Sequence, residues 1–308
     1  MTSIGDDERK IAHRSGFACF VGRPNAGKST LLNAIVGDKI AITSDKPQTT
    51  RRAIRGILTR QDAQLVIVDT PGMHKPRTLL GERLDDIVRT TWSDVDVVGL
   101  CVPADQAIGP GDRRIAAELS DKVGGTPVIG IVTKTDLVPP ERVAAQLLAL
   151  SQVREFAEIV PVSALSGAQV GLLTDLLIAR LPEGPQWYPD GEITDEPVEI
   201  RIAELVREAA LDGVRDELPH SLAVVVDEMG PREGSNLTDI YATVYVERDS
   251  QKAIVIGHRG SRLASVGRRA RAGIETLLGS RVYLDLHVTV AKDWQKDPKQ
   301  LRKLGFDD

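Results

Sequence analysis

Near-continuous apolar runs alternate with longer amphipathic segments across residues 16–182. The runs are FACFVG (17–22), AIRGIL (53–58), QLVIVD (64–69), VDVVGLCV (95–102), TPVIGIVT (126–133) and AEIVPVS (157–163). Between them, segments 29–37, 81–92, 112–122, 140–152 and 169–181 carry helical spacing. Strands that are apolar throughout are covered on both faces, so the pattern predicts an α/β unit with a mostly parallel sheet covered by helices. Its ligand belongs at the carboxyl ends of the strands.

The alternation stops at LPEGPQWYPDGEITDEP, where four prolines and two glycines cannot continue a helix or a central strand. Residues 183–197 read as a linker that Trp187 and Tyr188 pack onto a neighbouring domain. A second unit spans 198–295, preceded in the chain by an N-terminal polar extension (1–15) and the first unit (16–182), and followed by a polar tail (296–308). Within it, 198–218 predicts an amphipathic helix, SLAVVVDEM and DIYATVYVERD predict strands, and RVYLDLHVTV (281–290) predicts a last strand. The stretch QKAIVIGHRGSRLASVGRRARAGIETLLGS runs from a strand end through a glycine loop into helices. The order α-β-β-α-α-β predicts a small α+β domain.

Composition narrows the classes. With 308 residues, 42% hydrophobic and 27% charged, the chain suits two globular domains and excludes a disordered, collagen-like or disulfide-scaffold protein. A net charge of −5 means that nucleic acid must be met by a local patch, not a bulk field. Cys19 and Cys101 sit in apolar runs and read as buried thiols. The N-terminus has no apolar signal region and no run reaches the length of a membrane span, so the cytoplasm is expected.

Gly22-Arg23-Pro24-Asn25-Ala26-Gly27-Lys28-Ser29 fits GxxxxGK[ST], follows an apolar run and opens a helix. Such a loop aims backbone N–H groups at phosphates, with the helix N-terminus adding positive potential. Lys28 is expected at the β- and γ-phosphates and Ser29 at Mg²⁺, with Thr30 next in the cradle. Asp69-Thr70-Pro71-Gly72 ends the third run. Asp69 suits a Mg²⁺-holding acid, and Gly72 permits close approach to the γ-phosphate. Between them, DKPQTTRR (45–52) offers a threonine that joins Mg²⁺ and γ-phosphate and lets go on hydrolysis. Thr49 and Thr50 are the candidates; Thr50 is favoured because it directly precedes Arg51, a pattern shared by related GTPases. Lys28, Thr50 and Gly72 are thus the candidate catalytic residues.

Thr133-Lys134-Thr135-Asp136 follows the fifth run and Ser163-Ala164-Leu165 the sixth. Asp136 is expected to accept from guanine N1–H and N2, with Lys134 along the ring and the backbone at Ser163-Ala164 meeting O6. The usual motif is NKxD; Thr133 replaces an amide that donates and accepts at once, so one guanine contact is expected to be weakened. GTP or GDP is preferred over adenine nucleotides. Met73 stands where Ras-like proteins carry a water-orienting Gln, so slow turnover is expected. Asn25 points to K⁺ beside the phosphates, as in several GTPases that share a P-loop Asn and a TTR-type switch. His74 reads as a surface residue of the switch loop.

Gly257-His258-Arg259-Gly260 is a GXXG loop, which clamps RNA backbone in KH domains. Arg262, Arg268, Arg269 and Arg271 follow, and no acid occurs from 250 to 274, giving a basic face. Ile254 and Ile256 are expected on the strand side, under unstacked bases. His220 and His287 read as structural, and Trp294 as an anchor for the tail.

The combination GRPNAGKST, PQTTR, DTPG, KxD, SAL and a C-terminal GXXG domain resembles the Era family of ribosome-assembly GTPases over nearly the whole chain. The resemblance implies a TRAFAC-class P-loop G domain followed by a type II KH domain. It further implies binding to the 3′ end of 16S ribosomal RNA, a part in 30S maturation, and peripheral association with the membrane. Monomer is the expected state. The alternatives are a GTPase acting in tRNA modification, which lacks its usual reactive Cys or cofactor domain here, and an RNA binder with a vestigial G domain.

Overall fold

The computed structural model describes residues 12–46, 49–73, 78–214 and 218–306. The first unit is a six-stranded sheet in the order β2-β3-β1-β4-β5-β6. Its strands are β1 (Arg14–Val21), β2 (Ile54–Thr59), β3 (Ala63–Asp69), β4 (Val97–Pro103), β5 (Val128–Thr133) and β6 (Glu158–Pro161). Only the β2–β3 pair is antiparallel; the rest run parallel. The helices are α1 (Lys28–Val36), α2 (Leu79–Ser93), α3 (Pro110–Lys122), α4 (Pro140–Ser151) and α5 (Val170–Ile178).

Side chains alternate along each strand, so both faces of the sheet must be covered. In β1, Ala18 and Phe20 point into the cluster that holds Leu31, Leu32, Leu173 and Leu177 of α1 and α5. Cys19 and Val21 point the other way, to Val88, Trp92, Ile115 and Leu119 of α2 and α3. Each such buried leucine is worth about 1.5–3 kcal/mol over leaving it exposed. Burial pushes both thiols up, Cys101 to about 12, as inert core residues require. The outcome for candidate chemistry is that the loops after β1, β3, β5 and β6 emerge along one edge.

The segment between the units is packed, not loose. Gln64 donates to the Tyr188 carbonyl and accepts from the N–H groups of Trp187 and Tyr188. Trp187 leans on Phe17, centroids 5.9 Å apart, yet stays 63% exposed. The linker therefore lies along the first unit.

The second unit comprises α6 (Val198–Leu211), α7 (Leu218–Ser221), β7 (Ala223–Pro231), β8 (Leu237–Val246), α8 (Asp249–Ile256), α9 (Ser261–Leu278) and β9 (Arg281–Val290). β7 and β8 pair antiparallel, β8 and β9 parallel. The helices bury Val206, Val255, Val266 and Ile274 against Ile240, Val244 and Val288 of the sheet.

Three sequence expectations change here. The helix expected over 198–218 ends at Leu211, and Gly213 takes a φ of 70° that breaks it; 215–217 lie outside the described residues. The apolar AIVI run before the GXXG loop is helical, not the end of a strand. Gln251 Oε1 accepts from the N–H groups of Glu247 and Arg248, capping α8 at its start. Finally, the polar tail is structured: a single turn (Trp294–Lys296) leads into α10 (Pro298–Lys303). Trp294, Leu301 and Leu304 are buried against Leu80 and Leu84 of α2 and Ala223 of β7. Among the described residues no helix is long and apolar enough to cross a membrane.

Candidate nucleotide site and RNA-facing loop

The β1–α1 loop turns back over itself, with Asn25 and Gly27 at left-handed φ values of 62° and 89°. Lys28 opens α1 and donates from Nζ to the carbonyls of Gly22 (3.3 Å) and Arg23 (3.2 Å). Burial lowers its pKa, and the carboxylate of Asp69 opposes that shift. An ion pair of 2.7 Å from Arg23 to the buried Asp112 braces the loop on α3.

Three oxygens from three elements meet beside it. Ser29 Oγ donates to Asp69 Oδ2 at 2.6 Å, Thr50 Oγ1 donates to the same oxygen at 3.1 Å, and the two hydroxyls stand 3.0 Å apart. Asp69 is fully buried, which raises its pKa, while Lys28 and the two hydroxyls hold it down. Its Oδ1 is buried without a hydrogen-bond partner among the described residues. Hydroxyl and carboxylate oxygens around an unsatisfied buried acid suit a hard cation such as Mg²⁺. Thr49 is not part of this group; its hydroxyl donates to the Lys46 carbonyl at 2.7 Å. Of the two candidate threonines, the structure brings only Thr50 to Ser29 and Asp69.

Gly72 comes so close to the P-loop that a Cβ there would stand 2.7 Å from the Pro24 backbone. Met73 donates its N–H to the Gly22 carbonyl at 3.3 Å, and its side chain is buried in the core. Position 73 thus offers no polar group to water. His74 lies outside the described residues.

At the other end, Lys134 holds a left-handed φ of 57°, and Asp136 is exposed. Ser163 Oγ donates to Asp136 Oδ1 at 2.6 Å and accepts from the Ser166 N–H. Ala164 follows, and the Leu165 side chain is in solvent. Thr133 is turned away from the cleft: its hydroxyl donates to the Ala26 carbonyl at 2.6 Å. A cleft of about 260 Å³ runs from the P-loop to Lys134, lined by Asn25, Lys28, Ser29, Thr30, Thr50 and Gly72 among others. A larger cavity, about 680 Å³, lies between α2 and the sheet edge. Its lining includes none of the motif residues, so the smaller cleft is the nucleotide candidate.

In the second unit, the GXXG loop joins two helices. A Cβ on Gly257 would stand 2.6 Å from that of Arg262, so only glycine fits the turn. His258 and Arg259 are exposed on it, and Gly260 has a left-handed φ of 79°. Arg268 and Arg271 are also exposed. Arg262 departs from the expected RNA-facing role. Its Nη2 donates to the carbonyls of Ala210 (3.1 Å) and Asp212 (2.8 Å), satisfying the end of α6. Arg269 does likewise, to the Ala209 carbonyl and the Asp212 carboxylate. Ile254, expected on a strand, sits exposed on α8, with Ile256 at its end.

Sequence reasoning missed the joint between the units. Arg51, directly after Thr50, is 2% exposed and donates to the carbonyls of Leu222 (2.7 Å), Pro219 (2.8 Å) and His220 (2.8 Å). Its guanidinium lies 5.8 Å from the Trp294 ring. Burial, with Arg207 adding repulsion, pushes its pKa down to about 9, against the pull of Glu204 and Glu247. Arg207 of α6 reaches the Thr49 carbonyl, and Glu208 accepts from the Thr43 N–H at 3.0 Å. Arg52 donates weakly to the Leu304 carbonyl, and Arg83 of α2 donates to the Phe306 carbonyl. The one sequence signal was the arginine pair that follows the threonines.

A P-loop, a metal-suited Ser–Thr–Asp cluster and a guanine-suited acid on a mostly parallel sheet, joined to a GXXG domain, define a GTPase of the P-loop class with a KH domain. Residues 17–134 match the family described as 50S ribosome-binding GTPase, and 217–295 match the KH domain. The chain is 62% identical to GTPase Era of Streptomyces coelicolor, covering 99% of each. It is 64% identical to GTPase Era of a Nocardioides species, covering 99% of this chain and 100% of that one. It therefore belongs to the Era family of GTPases. Among solved structures, Era in complex with MgGDPNP and nucleotides 1506–1542 of 16S ribosomal RNA superposes with a TM-score of 0.91 at 35% identity, covering 96% of this chain and 100% of that one. An Aquifex aeolicus Era variant bound to GDP and aluminium fluoride gives the same TM-score, identity and coverage.

Proposed function

We propose that this chain is a guanine-nucleotide switch that couples GTP binding and hydrolysis to the grip of its KH domain on the 3′ region of 16S ribosomal RNA, in assembly of the 30S subunit. One observation carries the coupling. Thr50 is bonded to Ser29 and Asp69, and its chain neighbour Arg51 is buried under KH-domain carbonyls. Withdrawing Thr50 moves Arg51 with it. The Era complex that holds both a magnesium nucleotide and 16S nucleotides supports the same reading.

In this reading the backbone from Gly22 through Asn25, Ala26, Gly27, Lys28, Ser29 and Thr30 cradles the phosphates, and Lys28 trades its loop carbonyls for phosphate oxygens. Ser29, Thr50 and Asp69 are the residues that would hold Mg²⁺. Bound there, Mg²⁺ would neutralise charge developing on the β- and γ-phosphate oxygens. The Gly72 N–H approaches the γ-phosphate. Asp136, steadied by Ser163, reads guanine; Lys134 flanks the ring, and the backbone at Ser163, Ala164 and Leu165 serves O6. Gly257, His258, Arg259 and Gly260 clamp RNA backbone, with Arg268 adding charge. Arg262 packs beside Gly257 and holds the end of α6.

Asn25 Nδ2 donates to the Asp45 carbonyl at 2.7 Å, so this side chain already links the P-loop to the switch loop. That placement supports K⁺ as a stabiliser beside the phosphates, since no glutamine stands after DTPG. Faster GTP hydrolysis in K⁺ than in Na⁺ at matched ionic strength is the expected result; equal rates overturn the K⁺ assignment.

The test of the switch is RNA affinity measured with GTP analogue and with GDP, for wild type and Lys28→Ala. Affinity is expected to differ between nucleotides in wild type and to lose that difference in the variant. By linkage, RNA alters nucleotide affinity by the same factor. RNA affinity that ignores the nucleotide overturns the coupling. Crosslinking in cells, wild type beside Arg259→Ala, tests the target: reads are expected at the 3′ end of 16S ribosomal RNA and lost in the variant. Reads scattered over tRNA favour the tRNA-modification alternative.

A further inference from the structure

We infer that Thr133 is a positioning residue for the P-loop and that this chain recognises guanine without a side-chain contact to N7. The inference rests on the guanine-nucleotide reading of the cleft and specifies its chemistry. Thr133 ends β5 and is 4% exposed. Its Oγ1 is 2.6 Å from the Ala26 carbonyl, and that carbonyl has no hydrogen to give. The hydroxyl is therefore the donor. A hydroxyl has one hydrogen, and here it is committed.

What remains on Oγ1 is lone pairs. Guanine presents two acceptors, N7 and O6, on the edge away from its N1–H and N2 groups. An acceptor cannot bond an acceptor. An asparagine at 133 would carry two N–H hydrogens, one for Ala26 and one for N7; threonine can serve only the loop. Packing agrees: a Cβ built on Gly27 would lie 3.5 Å from Thr133 Cβ and Oγ1, so the side chain forms the floor under the loop. Side-chain recognition of guanine then resides on the opposite edge, in Asp136, whose Oδ1 is fixed by Ser163 at 2.6 Å.

The experiment compares GDP, 7-deaza-GDP (a C–H in place of N7), IDP (no N2 amino group) and ADP by equilibrium titration. Wild type is expected to bind GDP and 7-deaza-GDP within about twofold of each other, and IDP and ADP far more weakly. Thr133→Asn is expected to favour GDP over 7-deaza-GDP by about three- to tenfold, the worth of one neutral hydrogen bond. Thr133→Val, which keeps shape and loses the hydroxyl, is expected to weaken GDP and 7-deaza-GDP equally by about three- to tenfold. Thr133→Ser, which keeps the hydroxyl, is expected to retain wild-type binding and guards against misfolding as the cause. Wild-type discrimination against 7-deaza-GDP of about threefold or more, the worth of one hydrogen bond, overturns the missing N7 contact. Unchanged GDP binding in Thr133→Val overturns the positioning role. ADP binding as well as GDP instead defeats the guanine reading itself, which no Thr133 result would do.

Discussion

The joint and the RNA-facing loop are both built on arginine, and they use it in opposite ways. Arg51 and Arg207 are each 2% exposed between the two units, their guanidinium groups spent on backbone carbonyls and on Glu204. Arg259, Arg268 and Arg271 stand in solvent on the GXXG loop and α9 of the KH domain. A buried guanidinium is rigid, costly to desolvate and severely missed when deleted. An exposed one costs little to keep and offers its charge to phosphate. Burial, not residue type, separates the arginines that join the switch loop to the KH domain from those that can meet RNA.

Substitutions at four positions probe that contrast. Trp294→Ala removes the fully buried wall beneath Arg51, along with its stack on Phe306. A loss of about 3–5 kcal/mol is expected in denaturant unfolding. A loss under about 1 kcal/mol, the scale of a surface change, would mean that the joint is not packed as described.

Arg51→Ala leaves three carbonyls without their donor. We expect about 2–4 kcal/mol of lost stability, with donors to carbonyls worth about 1 kcal/mol each and more when charged. The nucleotide dependence of RNA affinity should go with it, while GDP binding persists. Arg51→Lys should recover part of the stability, since one ammonium cannot span all three carbonyls.

Arg259→Ala should act on binding alone. RNA affinity is expected to fall about three- to tenfold, and the slope of log affinity against log salt to flatten by about 0.7, the single-strand value for one lost phosphate contact. Unfolding should not change. Arg262→Ala is the sharpest comparison because it lies three residues further on. It should cost about 1–2 kcal/mol of stability through the end of α6, with the salt slope unchanged. If Arg262→Ala flattened the slope as Arg259→Ala does, its assignment to the α6 end would fail.

Much of the nucleotide cleft is legible in the chain because its parts are local. Gly22 to Ser29 form a loop from neighbouring residues, and DTPG and TKTD each sit at the end of an apolar run. The GXXG loop is legible for the same reason, since Gly257 and Gly260 specify their own turn. Adjacent residues resist that kind of reading. Thr49 and Thr50 have the same chemistry, and only the fold turns one hydroxyl to Asp69 and the other to Lys46. Among the helical arginines, sequence shows a basic stretch and cannot show which members close the end of a helix fifty residues back. The AIVI run misled because an apolar stretch of four has no period; the Gln251 cap decided for helix.

By itself, then, the sequence determined the strand–loop–helix order of the G domain, the phosphate loop, the guanine-suited acid and the KH loop. Each is set by backbone preference and hydrophobic period within a short stretch of chain. The tertiary structure alone decided that Thr50 meets Ser29 and Asp69, that Thr133 serves the P-loop, that the tail folds under α2, and that Arg51 is buried. The acceptors of Arg51 lie 168 to 171 residues away. Nothing in the local sequence ranks such partners. A buried donor must find whichever carbonyls the packing of two domains leaves beside it.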